Sequence, residues 1–471
     1  MRKKQQKPPV ILENLRVEDF AAEGKCLARH EGQVVFIEGE VAPGDVVDVR
    51  IFKTKSNFKE GRAVAVHSFS PLRQTPACQH FGTCGGCKWQ HVQYETQLDF
   101  KTRQVTDSLE RIGKVSHPGI RPIIGSSRQY EYRNKLEFTY SANRWYTDQE
   151  IASGDTLNRR AAGFHVPKRF DRILDIQHCH LQPEPSNAIR LAVKQFGESR
   201  GWSFYDFIQH GGFLRNVVIR TSSTGQVMVI VQFGESQPEE IQALMDYLQE
   251  NFPAITSLHY VVNTKLNDTF QDQEIIHVGG TPFIEERMEN LTFRVGPKSF
   301  YQTNSDQAYV LYQLAREYAQ LTGTELVYDL YTGTGTIANF VAHQAARVVG
   351  IEYVEASVAD ARVNSEINGV ENTSFFAGDM KKLLTASFFE IHGKPDVIIT
   401  DPPRAGMDPD VVEAILGAAP QRIVYVSCNP ATQARDVAAL AALYDVKAVQ
   451  PVDMFPHTHH VENVMWLEKR A

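Results

Sequence analysis

A cysteine placed just past an apolar strand is suited to covalent chemistry, and VYVSCNPAT (424–432) holds one in Cys428. Asn429 and Pro430 open the following helix, whose positive end favours a thiolate. Glu462, in MFPHTHHVENVMWLEKR (454–470), stands at the edge of a last apolar strand. It is expected to project into the same cleft, where a carboxylate can move a proton. Asp401 opens DPPRAG (401–406), and the two prolines after it fix the backbone of that loop. His457, His459 and His460 crowd the final segment, but no HxxxH spacing with a third ligand appears there.

A second group of residues has the types needed to hold a nucleoside. In YDLYTGTGTIA (328–338), Gly333 and Gly335 let a ligand approach the backbone where a helix begins. GTGTIA also satisfies the loose dinucleotide fingerprint, so this loop by itself fits NAD or S-adenosylmethionine. Glu352, 17 residues past Gly335, can accept both ribose hydroxyls, and Asp379 follows the next strand within reach of an adenine amino group. One acidic residue at a strand end is often only a helix cap; three in order read as a site.

These residues need elements that bring them to one edge. From about residue 300 the chain alternates apolar strands with helices: ELVYDLY, ARVVGIE, TSFFAGD, DVIITDPP and QRIVYVSCNP each precede a helix. Helices between successive strands require parallel pairing, which puts ligands at the carboxyl ends of the strands. Residues 10–68 instead alternate apolar and polar positions over short runs broken by APGD (42–45), the pattern of a small antiparallel barrel. Between them, strand runs such as KLEFTYSA and VMVIVQF mix with helical ones such as SNAIRLAVKQFGE. The spacing of Leu98, Val105, Leu109 and Ile112 predicts a helix over 92–113, a candidate to pack on the catalytic domain. The expected domains are 1–68, 69–295 and 296–471.

Three of the six cysteines fall within ten residues, in CQHFGTCGGCKWQH (78–91). Cys78, Cys84 and Cys87 present thiolates to a metal or an iron–sulfur cluster, with Cys179 in DIQHCHLQ as a distant fourth. Zinc stays an alternative, given His80, His91, His178 and His180. The spacing is not the C-x3-C-x2-C run of radical S-adenosylmethionine enzymes.

The chain has 471 residues, 42% hydrophobic and 22% charged, which excludes a mainly disordered or collagenous protein. The basic start, MRKKQQKPP, lacks an apolar h-region, and no apolar run is long enough for a membrane helix. A soluble, cytoplasmic protein with no membrane partner and no obligate protein partner is expected. The net charge of −7 is uneven. Residues 1–68 hold 12 Lys+Arg and 10 Asp+Glu, a surplus of two positive charges, and the rest holds 37 and 46, a surplus of nine negative ones. Arg50, Lys53, Lys55, Lys59 and Arg62 face only Glu60 in the run 50–62, with Phe52 and Phe58 between them. Such a stripe can bind phosphates on an acidic protein, because screening makes each charge act locally.

GTG after the first strand, DPPR, SCNP and the terminal HVEN resemble the RNA (uracil-C5)-methyltransferase family. The N-terminal part resembles the TRAM RNA-binding domain. C-x5-C-G-G-C with a distant cysteine resembles the branch that carries a [4Fe–4S] cluster and methylates large-subunit (23S) ribosomal RNA. The resemblance spans nearly the whole chain, with one departure, Thr332, where family members usually have Cys.

This resemblance implies an α/β fold: a C-terminal Rossmann-like S-adenosylmethionine-dependent methyltransferase domain, an N-terminal TRAM/OB-like β-barrel and a central α+β domain. It implies Cys428 as the nucleophile that attacks uracil C6 and Glu462 as the base that removes the C5 proton. Cofactor positions would be Gln302, Tyr331, Gly333, Gly335, Glu352, Asp379 and Asp401, and cluster ligands Cys78, Cys84, Cys87 and Cys179. The partner would be RNA, most readily ribosomal, with 5-methyluridine as product. Competing expectations are tRNA as substrate, or an RNA cytosine-C5 methyltransferase, although the latter commonly places a cysteine in the loop that here reads DPPRAG. A non-catalytic RNA-binding factor would not keep nucleophile, base and cofactor loop together. A dehydrogenase explains neither Cys428 nor the cysteine cluster.

Overall fold

The computed structural model describes residues 10–154 and 157–471. The basic opening segment, residues 1–9, lies outside the described residues. By internal contacts the chain forms two compact units. The smaller runs to Lys101 and includes Phe455–His459, and the larger holds Thr102–Met454 and His460–Ala471.

The smaller unit is a six-stranded sheet, antiparallel except where Gln33–Glu38 runs parallel to Phe58–Ser68. Its alternating apolar positions, among them Phe20, Ala28, Val35, Ile37 and Val49, bury one face against Trp89 and Phe100. The APGD turn is locked by its own acid. Buried Asp45 accepts the amides of Ala42 and Ser70 and the Arg73 guanidinium, which together hold its carboxyl below the usual range.

In the larger unit, residues 126–280 build an eight-stranded mixed sheet whose long strands are Lys135–Ser141, Leu214–Thr221, Val227–Phe233 and Ile255–Val262. VMVIVQF is buried at every position, as its unbroken apolar run predicts. Among the described residues no helix is long and apolar enough to cross a membrane.

The C-terminal sheet positions the site. Its strands are Leu326–Leu330 (β1), Arg347–Glu352 (β2), Thr373–Ala377 (β3), Val397–Thr400 (β4), Arg422–Ser427 (β5), Tyr444–Val452 (β6) and Glu462–Lys469 (β7). They lie in the order β3-β2-β1-β4-β5-β7-β6. Ser305–Ala319 (α1) precedes β1. Thr336–Ala342 (α2), Glu355–Ile367 (α3), Met380–Leu383 (α4), Ala386–His392 (α5), Pro409–Ala418 (α6) and Pro430–Leu440 (α7) follow in chain order. β1 to β5 are parallel, whereas β7 runs antiparallel between β5 and β6. β4 is buried throughout, and β1 and β5 nearly so, the pattern expected of strands covered by helices on both faces. Strand order reverses between β1 and β4, which opens a crevice at their carboxyl ends. This is the Rossmann-like α/β fold expected.

Two details differ from expectation. β6 is not among the expected elements, because YDVKAVQPV carries charge and proline within its apolar pattern. The helix expected over 92–113 is an α-helix only over Tyr94–Asp107 and continues as a π-helical turn over Ser108–Gly113. The wider turn rotates the last residues off the helical face, so Val105 and Leu109 are buried while Ile112 is exposed.

Candidate active site

The loop after β1 holds three left-handed residues among five: Tyr331 (φ 64°), Gly333 (φ 55°) and Gly335 (φ 74°). The two glycines serve different ends. A Cβ on Gly333 would meet nothing within 4 Å, so its backbone faces open space, whereas one on Gly335 would lie 2.8 Å from Ala361 Cβ and 3.1 Å from the Phe375 ring. Gly335 is therefore required by the packing of α2 on the sheet, and Gly333 is the point where a ligand can approach the backbone.

Glu352, at the end of β2, turns back to this loop. Its carboxylate accepts the amide of Gly333 at 3.1 Å and that of Val354 at 2.9 Å. Asp379 caps α4, accepting the Lys381 amide, so the helix-cap role is real. Burial, then the carboxyls of Asp408, Asp436, Asp379 and Glu352, push the Tyr331 hydroxyl up to about 12, which sets Tyr331 within electrostatic reach of both loop acids. Gln302 lies in the segment leading to α1, where Asn134 donates through its side chain to the Gln302 carbonyl and through its amide to the Thr303 carbonyl. Asn304 caps α1 and donates to the Met454 carbonyl, which fastens that segment beside the end of β6.

At the other side of the crevice the chemistry gathers. Ser427 pairs with Asn463 across β5 and β7, so Cys428 and Glu462 follow at the same end of adjacent strands. The Asp401 amide donates to the Leu330 carbonyl at 3.3 Å, bringing β4 to the same edge. The DPPR and SCNP loops are tied together. Asn429 and Thr432 both donate to the Arg404 carbonyl, at 2.9 and 3.2 Å.

These groups lie within electrostatic reach of one another. Burial, then the carboxyls of Glu462 and Asp401, push the Cys428 thiol up to about 11, with the Arg404 guanidinium opposing them. Burial and Asp401 likewise raise Glu462 to about 8, and burial alone raises Asp401 to about 7. The expectation that the helix end favours a resting thiolate is thus corrected. Desolvation, then the two nearby carboxyls, shift the thiol in the opposite direction.

Three further residues belong to this site. Asp329 is fully buried in β1, accepts the Thr332 hydroxyl and, at 3.0 Å, the Ala338 amide, and is raised to about 7 mainly by burial. A lone acid inside ELVYDLY is the signal that could have found it. Thr332, the departure from the family pattern, thus braces this carboxyl. Arg404 is visible as the last residue of DPPR. Tyr312 on α1 is buried where the carboxyls of Asp401, Asp329 and Glu462 all bear on its hydroxyl; nothing in the sequence singles it out.

The cysteine loop lies in the smaller unit, with Cys78, Cys84 and Cys87 half-buried, while Cys179 is buried in the larger one. The loop directs backbone N–H groups at sulfur. Gly86 donates to Cys84 Sγ at 3.4 Å, and the amides of His80 and Phe81 offset the upward shift that burial imposes on Cys78. Among the described residues no group of three or more His, Cys, Asp or Glu is arranged to hold a metal ion. In the same unit Arg50, Lys53, Lys55 and Arg62 are exposed on the hairpin of the basic stripe, and Glu60 is engaged by Lys53 and Lys25.

Comparison with known proteins places this geometry. Residues 273–470 match the family model described as tRNA (Uracil-5-)-methyltransferase, and residues 13–64 match the TRAM domain. An uncharacterised RNA methyltransferase of Bacteroides thetaiotaomicron is 55% identical over 96% of this chain and all of its own length. The chain belongs to the RNA (uracil-5-)-methyltransferase family. A second member, from Porphyromonas gingivalis, is also 55% identical, over 97% of this chain and all of that protein. Among solved structures, the Pyrococcus abyssi tRNA (uracil-54, C5)-methyltransferase in complex with S-adenosyl-L-homocysteine superposes with a TM-score of 0.74. It is 28% identical and covers 97% of this chain and all of that one. As a (uracil-5-)-methyltransferase the protein is an S-adenosylmethionine-dependent transferase.

Proposed function

We propose that the protein methylates C5 of uridine in RNA, with Cys428 as nucleophile and Glu462 as base. The observation that carries this reading is the β5–β7 pairing, which sets a thiol and a carboxyl side by side at the carboxyl edge of the sheet. Bound S-adenosylmethionine supplies an electrophilic methyl group. Cys428 gives its proton to a carboxyl, for which Asp401 at about 7 is suited, and its sulfur adds to uracil C6. The electron pair released onto C5 would form the bond to the methyl carbon as that carbon's bond to the sulfonium sulfur breaks, the bonding pair staying on sulfur and S-adenosylhomocysteine leaving. Ionised Glu462 then takes the C5 proton, the C5–C6 double bond reforms and the thiolate departs. Gln302, Tyr331, Gly333, Glu352 and Asp379 hold the cofactor, with Gly335 supporting the loop from behind. The test is mass spectrometry of RNA after incubation with S-adenosylmethionine. 5-Methyluridine should form with wild type and not with Cys428→Ala, and 5-methylcytidine in its place would transfer the reading to the cytosine enzymes.

Large-subunit ribosomal RNA is the proposed substrate, on the resemblance of the cysteine pattern. The Pyrococcus relative acts on tRNA, which favours tRNA as the second reading. Mapping 5-methyluridine in 23S ribosomal RNA and in tRNA from a strain lacking this protein separates the two.

A [4Fe–4S] cluster held by Cys78, Cys84, Cys87 and Cys179 is proposed with it. Two of the three loop sulfurs receive backbone N–H groups, which suits thiolates bound to iron. The fourth ligand rests on the sequence pattern alone.

A further inference from the structure

One edge of the eight-stranded sheet carries a surface the chemistry above does not use. The edge strand Arg144–Trp145 pairs with Ile173–Asp175, which returns from Ala161–His165 through a tip at residues 166–172. The tip is closed by its own backbone. Val166 donates to Arg172 at 3.0 Å, Arg169 to Val166 at 3.0 Å and Arg172 to Arg169 at 3.4 Å. A turn this tight has no interior, so Lys168, Arg169 and Phe170 all project outward, and Phe170 is 71% exposed. Residues 157–172 hold five Lys+Arg against Asp171 alone, a surplus of four positive charges in a chain of −7. Cations and rings alternate in space as well: Arg169 lies over the Trp145 ring at 6.0 Å and Arg144 over that of Tyr146 at 5.6 Å. Among the described residues, acids near this edge include Asp148; Glu150, paired with Arg144; Asp171, paired with Arg169 and Arg172; and Asp206, which Arg159 acts on.

We infer that this edge binds single-stranded RNA flanking the target uridine, Phe170 stacking on an unpaired base while Lys168 and Arg169 hold phosphates. This deepens the methyltransferase reading and rests on it. A duplex would offer only its phosphates, because its bases are already stacked, so an exposed ring among cations selects unpaired strand. The surface is also joined to the cleft by a rigid element. Lys135–Ser141 begins next to Asn134, whose side chain holds the Gln302 carbonyl, and ends three residues before Arg144. Thr139 pairs with Gly163 and Ser141 with Ala161, so the tip that follows His165 lies toward the Lys135 end of that strand, the end Asn134 ties to Gln302.

The test is fluorescence anisotropy of the full-length protein with labelled oligouridine and with a labelled RNA duplex, across a salt series. S-adenosylhomocysteine binding serves as the folding control. Phe170→Ala should weaken oligouridine binding by roughly 5- to 100-fold without changing the salt slope. Lys168→Ala with Arg169→Ala should flatten that slope by about 0.7 for each phosphate no longer neutralised. Phe170→Trp should keep the affinity. Unchanged oligouridine binding in both alanine variants overturns the inference, as does an equal loss with the duplex, which would mark a phosphate-only surface. Failure of the wild type to bind either RNA would instead bring down the methyltransferase reading itself.

Discussion

Cys428 and Glu462, 34 residues apart in the chain, are brought to one end of the sheet by the strand pair that holds Ser427 opposite Asn463. A buried amide lock keeps that pair in place. Gln433 donates to the carbonyls of Tyr425 and Asn463 at 2.8 and 3.1 Å, and Asn463 donates back to the Gln433 side chain at 2.7 Å. The lock spans β5, α7 and β7 and so ties together the strands that carry Cys428 and Glu462.

Cys428→Ala should abolish methyl transfer, a loss of roughly four orders of magnitude or more. S-adenosylhomocysteine affinity, measured by calorimetry, should stay near that of the wild type, because the cofactor loop follows β1. Retained activity would remove the covalent step.

Glu462→Gln should stop the reaction one step later, since addition and methylation need no base at C5. A covalent protein–RNA species should accumulate and migrate as a shifted band on a denaturing gel. A variant that is inactive without forming that band would remove Glu462 from the role of base.

The pH dependence has a definite sign. Glu462 must be ionised to accept the C5 proton and sits at about 8, and Asp401, at about 7, must be ionised to take the thiol proton, so the single-turnover rate should climb about tenfold per unit between pH 7 and 8, more steeply below 7, and level above 8. Stability should run the opposite way. The folded state keeps a proton on Glu462 that the unfolded chain releases above 4.5, so folding weakens as pH rises from there to about 8. Urea midpoints at pH 6 and pH 8 should differ accordingly, and less so in Glu462→Gln.

The two glycines of the cofactor loop should separate binding from stability. Gly335→Ala places a Cβ 2.8 Å from Ala361 Cβ at a left-handed φ, which should cost about 1–3 kcal/mol in denaturant unfolding. Gly333→Ala meets no neighbour and should cost only about 1 kcal/mol, yet lose most cofactor affinity.

If the cysteine loop holds a cluster, protein purified without oxygen should be brown, and Cys84→Ser should bleach it. A colourless native preparation containing zinc would replace the cluster with the other metal.

Local pattern alone was enough for much of this. Continuous apolar strands alternating with helices dictate a parallel sheet, and a parallel sheet dictates that Gly333, Glu352, Asp379, Asp401 and Cys428 share its carboxyl edge. Those inferences need only the periodicity of neighbouring residues and the handedness of the chain. Tertiary structure decided what depends on pairs distant in sequence. β7 inserts antiparallel between β5 and β6, which no local signal announces, and only that insertion puts Glu462 beside Cys428. The electrostatics of the site were likewise beyond the sequence: a helix terminus favours a thiolate, whereas loss of water and then the carboxyls of Glu462 and Asp401 push the thiol up. Charge in a cleft is set by which groups face each other through low-dielectric space, and folding alone determines that.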